Sequence, residues 1–278
     1  MSEPFQFHCI EALILDIDGT LLRGETPLPG FHTLFAFLRA GRIPFVVASN
    51  NTTKSPRDYQ HKLAALGAEV ELPSILTAAV ATVDYLRRTL PDNASLYVIG
   101  EASLRGALQA AGFRLRPDAR QPVAAVVVGG DSTLTYDKLK DAALLLQGGA
   151  PLVGTNPDLL CPAEEGLVPE AGTTLAALQA ATGAVPTIIG KPQRHLFDLA
   201  VERLDRPPER TAVVGDRLET DILGGQQAGL RTILTTTGVD NEATVREKGI
   251  YPDRVVAGLE ALVEIWQQET KEGADEYA

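Results

Sequence analysis

Residues 12–22 read Ala-Leu-Ile-Leu-Asp-Ile-Asp-Gly-Thr-Leu-Leu, an apolar run that ends in two aspartates. The run predicts a buried strand, and side chains two positions apart in a strand project to the same side. We therefore expect Asp16 and Asp18 to share one side, where their charges repel unless a cation or a shared proton relieves them. A solvated acidic turn at the end of a strand would explain Asp18-Gly19 but not Asp16. The stretch therefore favours a metal-dependent site.

Composition excludes several classes of protein. The chain has 278 residues, a formal net charge of −11 and a pI of about 4.9, which argue against a nucleic-acid-binding surface. Its two cysteines, Cys9 and Cys161, do not make a disulfide framework. We find neither a signal-type segment nor an apolar stretch long enough to cross a bilayer. The sequence therefore predicts a cytoplasmic protein that binds neither nucleic acid nor membrane.

Short runs rich in Val, Ile and Leu alternate with helical patterns along the chain. Strands are predicted at residues 12–17, 45–49, 96–99, 124–128, 152–154, 188–189, 212–215 and 232–235. Helices are predicted at residues 56–66, 79–90, 104–111, 136–146, 173–181, 193–204, 220–228 and 259–268. Near-continuous apolar strands separated by helices are typical of a parallel sheet covered on both faces. The sequence therefore predicts an α/β fold.

Polar side chains follow several of these strands. Asp16, Ser49 and Asp216 each stand at or beyond the end of an apolar run, Lys191 follows another, and Asp221 lies in the loop after Asp216. Each alone has a plain explanation as a strand end, a helix cap or a solvated lysine. Ligands collect beyond the carboxyl ends of parallel strands. Together, carboxylates suited to Mg²⁺ and phosphate-binding hydroxyl and ammonium groups predict a magnesium and phosphate site there.

With these residues assembled, the chain resembles the haloacid dehalogenase superfamily, and more narrowly its NagD-like or 4-nitrophenylphosphatase-like branch. The resemblance covers nearly the whole length and is carried by the stretches Asp16-Ile-Asp-Gly-Thr-Leu, Ser49-Asn-Asn-Thr-Thr-Lys-Ser, Gly154-Thr-Asn-Pro-Asp, Gly190-Lys-Pro and Gly215-Asp-Arg-Leu-Glu-Thr-Asp-Ile. It implies a Rossmann-like parallel-sheet core formed by residues 1–81 and 187–278. An α/β cap domain formed by residues 82–186 would be inserted into this core.

The resemblance also implies roles for single residues. Asp16 would be the nucleophile that attacks phosphorus, and Asp18 the general acid and base. Mg²⁺ would be held by Asp16, Asp216 and the backbone carbonyl of Asp18. The phosphoryl oxygens would be held by Ser49, the amide of Asn50 and Lys191. Asn51 is expected outside this first set of contacts, and Asp221 is expected either outside it or in a role that orients the lysine.

The sequence indicates less about the residues of the expected cap than about the core. Its loop residues Asn156 and Asp158 are candidates for substrate contacts, although an Asn-Pro-Asp turn that serves only the backbone explains them equally well. Relatives often carry arginine where this chain has Ser132. That departure weakens any substrate assignment taken from the family.

These expectations combine into a Mg²⁺-dependent phosphatase that acts on a small phosphorylated metabolite through an aspartyl-phosphate intermediate. 4-Nitrophenyl phosphate is an expected substrate. Two alternatives use the same residues: a phosphomutase, and a non-catalytic phosphate-binding module on the same scaffold. A homodimer formed through the cap is a further expectation, and the physiological substrate stays open.

Overall fold

The computed structural model describes residues 5–163 and 166–276. Its strands are β1 (Ala12–Asp16), β2 (Leu22–Arg23), β3 (Thr26–Pro27), β4 (Phe45–Ser49), β5 (Ile75–Thr77), β6 (Ser95–Ile99), β7 (Arg114–Arg116), β8 (Ala125–Val128), β9 (Leu152–Gly154), β10 (Leu160–Ala163), β11 (Gly166–Pro169), β12 (Thr187–Ile188), β13 (Thr211–Gly215), β14 (Arg231–Thr235) and β15 (Arg254–Val256).

The α-helices are α1 (Phe31–Gly41), α2 (Pro56–Ala65), α3 (Ala78–Thr89), α4 (Ala102–Ala110), α5 (Tyr136–Gln147), α6 (Ala171–Thr182), α7 (Arg194–Leu204), α8 (Leu223–Gln227), α9 (Glu242–Lys248) and α10 (Leu259–Glu276). Short 3₁₀ helices lie at Phe7–Cys9, Leu72–Ser74 and Pro208–Arg210. In the parts of the chain that the structure describes, none of the helices combines the length and apolar character needed to cross a bilayer.

The chain divides into two compact units. The first comprises the described residues up to Ser49, then Tyr59–Leu76, and those from Phe197 onward. The second comprises Asn50–Asp58 and Thr77–Leu196.

The first unit contains a six-stranded sheet in the order β15-β14-β13-β1-β4-β5. Strand β1 pairs in parallel with β13 on one side and with β4 on the other, and β14 and β15 continue the parallel ladder. The sequence order of the strands reverses between β1 and β13, which is the doubly wound arrangement of a Rossmann-like sheet. The predicted α/β fold is therefore confirmed.

The core of the first unit follows from its apolar strands. All five residues of β1 are buried, as expected for a central strand covered on both faces. Helix α10 adds an aromatic cluster: the indole ring of Trp266 lies 5.3 Å from the ring of Phe7 and 5.4 Å from that of Phe37. These contacts join the amino-terminal 3₁₀ helix and α1 to the last helix.

The second unit contains a five-stranded sheet in the order β12-β9-β8-β6-β7, in which every neighbouring pair is parallel. Its strand order reverses between β6 and β8, so this unit is a smaller doubly wound sheet of its own. Its core is formed by apolar side chains of the strands with α5 and α6, among them Val126, Leu145 and Leu175.

Most predicted elements occur within one or two residues of their expected limits, which is the usual uncertainty of element ends. The structure adds elements that the apolar patterns did not indicate: helices α1 and α9, the hairpins β2–β3 and β10–β11, and the short strands β5, β7 and β15. All of these strands are only two to four residues long, which is too short for a periodicity to be recognised.

One predicted helix needs a correction. The stretch expected as a helix over residues 220–228 begins instead with a π-helical segment, Leu218–Ile222, which passes into α8. The wider turn carries Asp221 back against the end of β13, where a Cβ atom on Gly215 would lie 2.6 Å from Oδ2 of Asp221. Single π-helical turns are frequent at functional sites.

Candidate metal and phosphate site

Two aspartates lie at the point where the strand order of the first unit reverses. Asp16 ends β1 and Asp216 follows β13, and the pairing of Leu15 with Val214 brings the two strand ends level. Asp16 is 7% exposed and Asp216 is fully buried. In doubly wound sheets, ligands bind outside the carboxyl ends of the strands at this reversal. Both carboxylates therefore lie where this fold places a ligand.

Asp221 completes a cluster of carboxylates. Asp16, Asp216 and Asp221 each offer one oxygen, and these oxygens lie within 4.8 Å of one another with all three residues buried. Buried like charges at such distances repel strongly unless a cation neutralises them. A set of carboxylate oxygens is the donor set that Mg²⁺ prefers. The residues present therefore fit a magnesium ion.

The Asp216 carboxylate is held by the loop that follows β14. Its Oδ2 accepts a hydrogen bond of 2.7 Å from the backbone amide of Val239. The amide of Asp240 donates to the carbonyl oxygen of Asp216 at 3.0 Å. Gly19 and Gly238 both lie against the carboxylate, and a Cβ atom at either would overlap it. The strand end and two glycines thus fix one orientation of this ligand.

Asp240 stabilises the π-helical turn that follows Asp216. Its Oδ2 accepts from the amide of Leu218 at 2.8 Å, and its Oδ1 forms an ion pair of 3.0 Å with Nζ of Lys248. Burial opposes the charged form, but these hydrogen bonds outweigh it and lower the pKa of Asp240. The π-helical turn that carries Asp221 is therefore tied to a buried, ionised carboxylate.

Asp18 differs from Asp16 in its surroundings. Strand β1 ends at Asp16, one residue earlier than predicted, and Asp18 lies in the exposed turn that follows. The amide of Gly19 closes this turn by donating to the carbonyl oxygen of Leu22 at 2.8 Å. Asp16 therefore lies within the strand and is buried, whereas Asp18 lies beyond it and is exposed.

Ser49 lies one strand away from Asp16. Strand β4 pairs with β1 so that Ala48 stands opposite Asp16, and Ser49 is the next residue. The Ser49 side chain is buried, and its hydroxyl lies 3.4 Å from the hydroxyl of Tyr59. The first unit therefore places a hydroxyl at the strand end beside that of Asp16.

The predicted phosphate-binding residues of the second unit converge on Asn50. Its Oδ1 accepts from the amide of Lys191 at 2.8 Å, and its Nδ2 donates to the carbonyl oxygen of Lys191 and to Oδ2 of Asp158, each at 3.0 Å. The side chain of Asn156 donates to the carbonyl oxygen of Asn50 at 3.0 Å. The Lys191 residue is 3% exposed. One asparagine thus fixes the backbone of the buried lysine.

Asn51 acts on its own loop. Its Oδ1 accepts hydrogen bonds from the amide and hydroxyl of Thr53, at 2.7 and 2.9 Å, and from the amide of Lys54 at 3.2 Å. These are the local contacts by which an asparagine stabilises a turn. Its expected supporting role stays a prediction.

Sequence reasoning missed two contributors. Thr52 is buried and accepts from the amide of Gly130 at 3.2 Å, and no sequence signal separated it from its polar neighbours. The stretch from Thr237 to Asp240 follows β14 and holds Asp216. The rule applied to the other strand ends would have identified this second contributor, because it too is a polar stretch after an apolar run.

Fold and site together define a doubly wound α/β protein with an acidic ligand site, and comparison with known proteins gives the family. A family model described as haloacid dehalogenase-like hydrolase matches residues 13–114, and one described as HAD-hydrolase-like matches residues 188–262. An acid sugar phosphatase of Staphylococcus epidermidis is 34% identical over 242 residues, covering 87% of this chain and 92% of the relative. A dihydroxyacetone phosphatase of Corynebacterium glutamicum is 33% identical, with 94% of each chain covered.

Comparison with solved structures points to the same family. A 4-nitrophenylphosphatase from Thermotoga maritima superimposes with a TM-score of 0.87 at 34% identity, covering 93% of this chain and 98% of that one. NagD from Escherichia coli gives a TM-score of 0.83 at 30% identity, covering 90% and 97%. A glycerol phosphate phosphatase from Mycobacterium tuberculosis, solved in complex with magnesium, gives 0.84 at 31% identity, covering 94% and 78%. The chain belongs to the haloacid dehalogenase-like hydrolases, in their NagD-like branch.

Proposed function

We propose that this protein is a phosphoric monoester hydrolase that uses Mg²⁺ to release phosphate from small-molecule esters. The observation that carries the proposal is the buried cluster of Asp16, Asp216 and Asp221 at the strand reversal. The relatives named above are phosphatases, and one of them was solved with magnesium. Bound Mg²⁺ would offset part of the negative charge of the three carboxylates and of the phosphoryl oxygens.

The residues of the site divide the chemistry between them. An oxygen of Asp16 attacks phosphorus, and the bond from phosphorus to the ester oxygen breaks. The carboxyl group of Asp18 gives its proton to the departing alkoxide. Asp18 then takes a proton from a water molecule, whose oxygen attacks the phosphorus of the aspartyl-phosphate and releases Asp16 and inorganic phosphate.

The different surroundings of the two aspartates support this division. Asp16 is buried among other carboxylates, whereas Asp18 is exposed beyond the strand. Asp16 thus lies beside the other carboxylates that would bind the cation, as suits the attacking group, and Asp18 lies outside the cluster with access to the water from which a general base takes its proton. In the second unit, Asn50 holds the backbone of Lys191, whose ammonium group we assign to a phosphoryl oxygen. Asn156 and Asp158 are assigned to the substrate side of that unit.

The test is hydrolysis of 4-nitrophenyl phosphate. We expect Mg²⁺-dependent release of nitrophenolate that stops in EDTA. Asp16→Asn is expected to lower kcat by at least about 10³-fold, because the nucleophile is lost. The control Asp92→Asn makes the same change at an exposed position and should keep full activity. Turnover that persists in EDTA or in Asp16→Asn would contradict the proposal.

The same assay addresses the alternatives. A phosphomutase would isomerise a bisphosphate-primed substrate without releasing phosphate, and a non-catalytic module would bind Mg²⁺ without turning over any ester. The cap role of residues 82–186, a homodimer through that region, a cytoplasmic location and the absence of nucleic-acid binding stay predictions from the sequence.

A further inference from the structure

Thr237 connects two loops of the first unit. Its Oγ1 donates a hydrogen bond of 2.7 Å to the carbonyl oxygen of Gly19, which lies 218 positions earlier in the chain. The same hydroxyl lies 3.2 Å from Oγ1 of Thr235, but a hydroxyl has one proton and the contact with Gly19 is the shorter. The turn after β1 is therefore tied to the loop after β14 by a side-chain hydrogen bond.

Gly19 follows Asp18 in that turn, which backbone hydrogen bonds also stabilise. The amide of Leu22 donates to the carbonyl oxygen of Ile17 at 2.8 Å, and the amide of Gly19 donates to that of Leu22 at 2.8 Å. The bond from Thr237 adds the carbonyl oxygen of Gly19 to this set. Asp18 itself is exposed, so the backbone of the turn sets where its carboxyl group can reach.

Arg23 holds the other end of Thr237. Its Nη2 donates to the carbonyl oxygen of Thr237 at 2.6 Å, and Arg23 ends β2, the first strand of the hairpin that follows the turn. The residue after Thr237 is Gly238, which lies against the carboxylate of Asp216. Thr237 is thus fixed between the hairpin and the cluster of carboxylates, and its hydroxyl is held where it bonds to the turn.

We propose that Thr237 is a positioning residue, which fixes the turn of Asp18 so that the Asp18 carboxyl group reaches the departing oxygen of the ester. The inference rests on the proposed phosphatase function, in which Asp18 protonates the leaving group. A proton donor works only within hydrogen-bond reach of the atom that receives the proton. Without the Thr237 hydroxyl, the carbonyl oxygen of Gly19 loses this partner and the turn opens more readily.

The proposal makes the effect of Thr237 depend on the leaving group. Nitrophenolate is a stable anion near neutral pH and departs without a proton, whereas the alkoxide of benzyl alcohol is a strong base and must be protonated as it departs. A misplaced Asp18 carboxyl group therefore slows the release of benzyl alcohol far more than the release of nitrophenolate. A general loss of folded protein or of metal would lower both rates by the same factor.

The test compares kcat/KM for benzyl phosphate and 4-nitrophenyl phosphate at saturating Mg²⁺. This parameter measures the transition state for release of the leaving group relative to free enzyme and ester. In Thr237→Val, a methyl group replaces the hydroxyl. We expect kcat/KM to fall roughly 10²-fold for benzyl phosphate and at most about threefold for 4-nitrophenyl phosphate.

Two further variants examine the two ends of Thr237. Thr237→Ser keeps the hydroxyl and removes the methyl group that packs near Gly258, so it should keep the wild-type ratio of the two kcat/KM values. Arg23→Met removes the bond to the carbonyl oxygen of Thr237 at an exposed position. It should shift the ratio in the same direction as Thr237→Val, by a smaller factor.

Thr236→Val is the matched control. It makes the same substitution one residue earlier, at a partly exposed threonine whose hydroxyl forms no hydrogen bond within the described part of the chain. It should leave the ratio unchanged. A second measurement needs neither metal nor substrate: the amides of residues 19–22 should exchange hydrogen faster in Thr237→Val than in the wild type, and at the wild-type rate in Thr236→Val.

Three outcomes would count against the inference or its premise. An equal loss on both esters in Thr237→Val or in Arg23→Met, or unaltered exchange at residues 19–22, would overturn the inference and leave the phosphatase function intact. A wild-type protein that hydrolyses 4-nitrophenyl phosphate but not benzyl phosphate would also overturn it, because no proton donor would then be in position. Absence of phosphate release from both esters in the wild type would instead refute the proposed function.

Discussion

Gly238 lies so close to the carboxylate of Asp216 that a side chain at this position would overlap Oδ2. The same oxygen accepts the hydrogen bond from the amide of the next residue, Val239, at 2.7 Å. The glycine and the amide together leave Asp216 one orientation, which is the one that brings its carboxylate to Asp16 and Asp221.

Gly238→Ala is therefore expected to weaken Mg²⁺ binding. The added methyl group must push the carboxylate away, so the Mg²⁺ concentration for half-maximal activity should rise about tenfold or more. Melting curves give a second measurement, because a bound ion raises Tm and the variant should lose much of that rise.

Gly106→Ala serves as its control. Gly106 lies in α4 with no atom within 4 Å of the added Cβ, so alanine should leave the Mg²⁺ response unchanged and add up to about 1 kcal/mol of stability. An unaltered Mg²⁺ response in Gly238→Ala would show that the contact with Asp216 does not position a metal ligand.

Asn50→Asp should impair turnover by misplacing Lys191. In the wild type, Nδ2 of Asn50 donates to the Lys191 carbonyl oxygen and to Asp158, each at 3.0 Å. Aspartate has the same shape but places an acceptor oxygen there, so both hydrogen bonds are lost. Misplacement of a positioning element by about 1 Å can cost 10²-fold in rate, and we expect a loss of kcat/KM of about that size.

Asp158→Ala is the informative comparison, because it removes only the hydrogen bond from Asn50 to Asp158 and should cost less than Asn50→Asp. Steady-state kinetics with 4-nitrophenyl phosphate measures both variants. If the two variants lose the same amount, the bonds between Asn50 and the Lys191 backbone do not matter for catalysis.

Asp240→Asn is expected to destabilise the fold in a pH-dependent way. The pKa of Asp240 is lower in the folded chain than in the unfolded chain, so its ionisation stabilises the fold above the unfolded value of about 3.9. At neutral pH the loss should be roughly 1.5–3 kcal/mol, the usual contribution of a hydrogen bond to a charged group. As the pH falls through the folded pKa, the wild type should lose this advantage.

Urea unfolding at neutral and acidic pH measures the difference between the two proteins. Asp92→Asn, at an exposed position, should show no such pH dependence. A difference of constant size down to the lowest pH at which both proteins fold would contradict the assignment.

Cys161 should react slowly with iodoacetamide. Only a thiolate reacts, and with a pKa of about 11 the ionised fraction near pH 8 is about one in a thousand. In a Cys9→Ser background, where Cys161 is the remaining thiol, the rate should rise about tenfold per pH unit. Adding Glu170→Gln should speed the reaction, because one of the charges that raise the pKa is removed. Rapid alkylation near pH 8 in the Cys9→Ser background would show that burial and the neighbouring carboxylates do not raise the pKa of Cys161.

The sequence predicted those parts of the site that depend on local pattern. Asp16, Ser49 and Asp216 each follow an apolar run, and parallel strands bring such ends to one edge of a sheet. The position of Asp221 was not predictable in this way, because its π-helical turn is set by contact with Gly215, a residue of another element. The close approach of Glu170 to Gly130 likewise joins residues that lie far apart in sequence, and no local pattern connects the two.

The central pairing of β1 with β13 has a consequence for synthesis. Strand β1 is synthesised long before its partner, which begins at Thr211. Translation proceeds at about 5–20 residues per second, so one edge of β1 stays unpaired for roughly 10 to 40 s until β13 is synthesised. During that time the edge can pair with another chain, and Asp16 has neither Asp216 nor Asp221 beside it. Chains that terminate before Thr211 should therefore aggregate, and they cannot assemble the cluster of carboxylates.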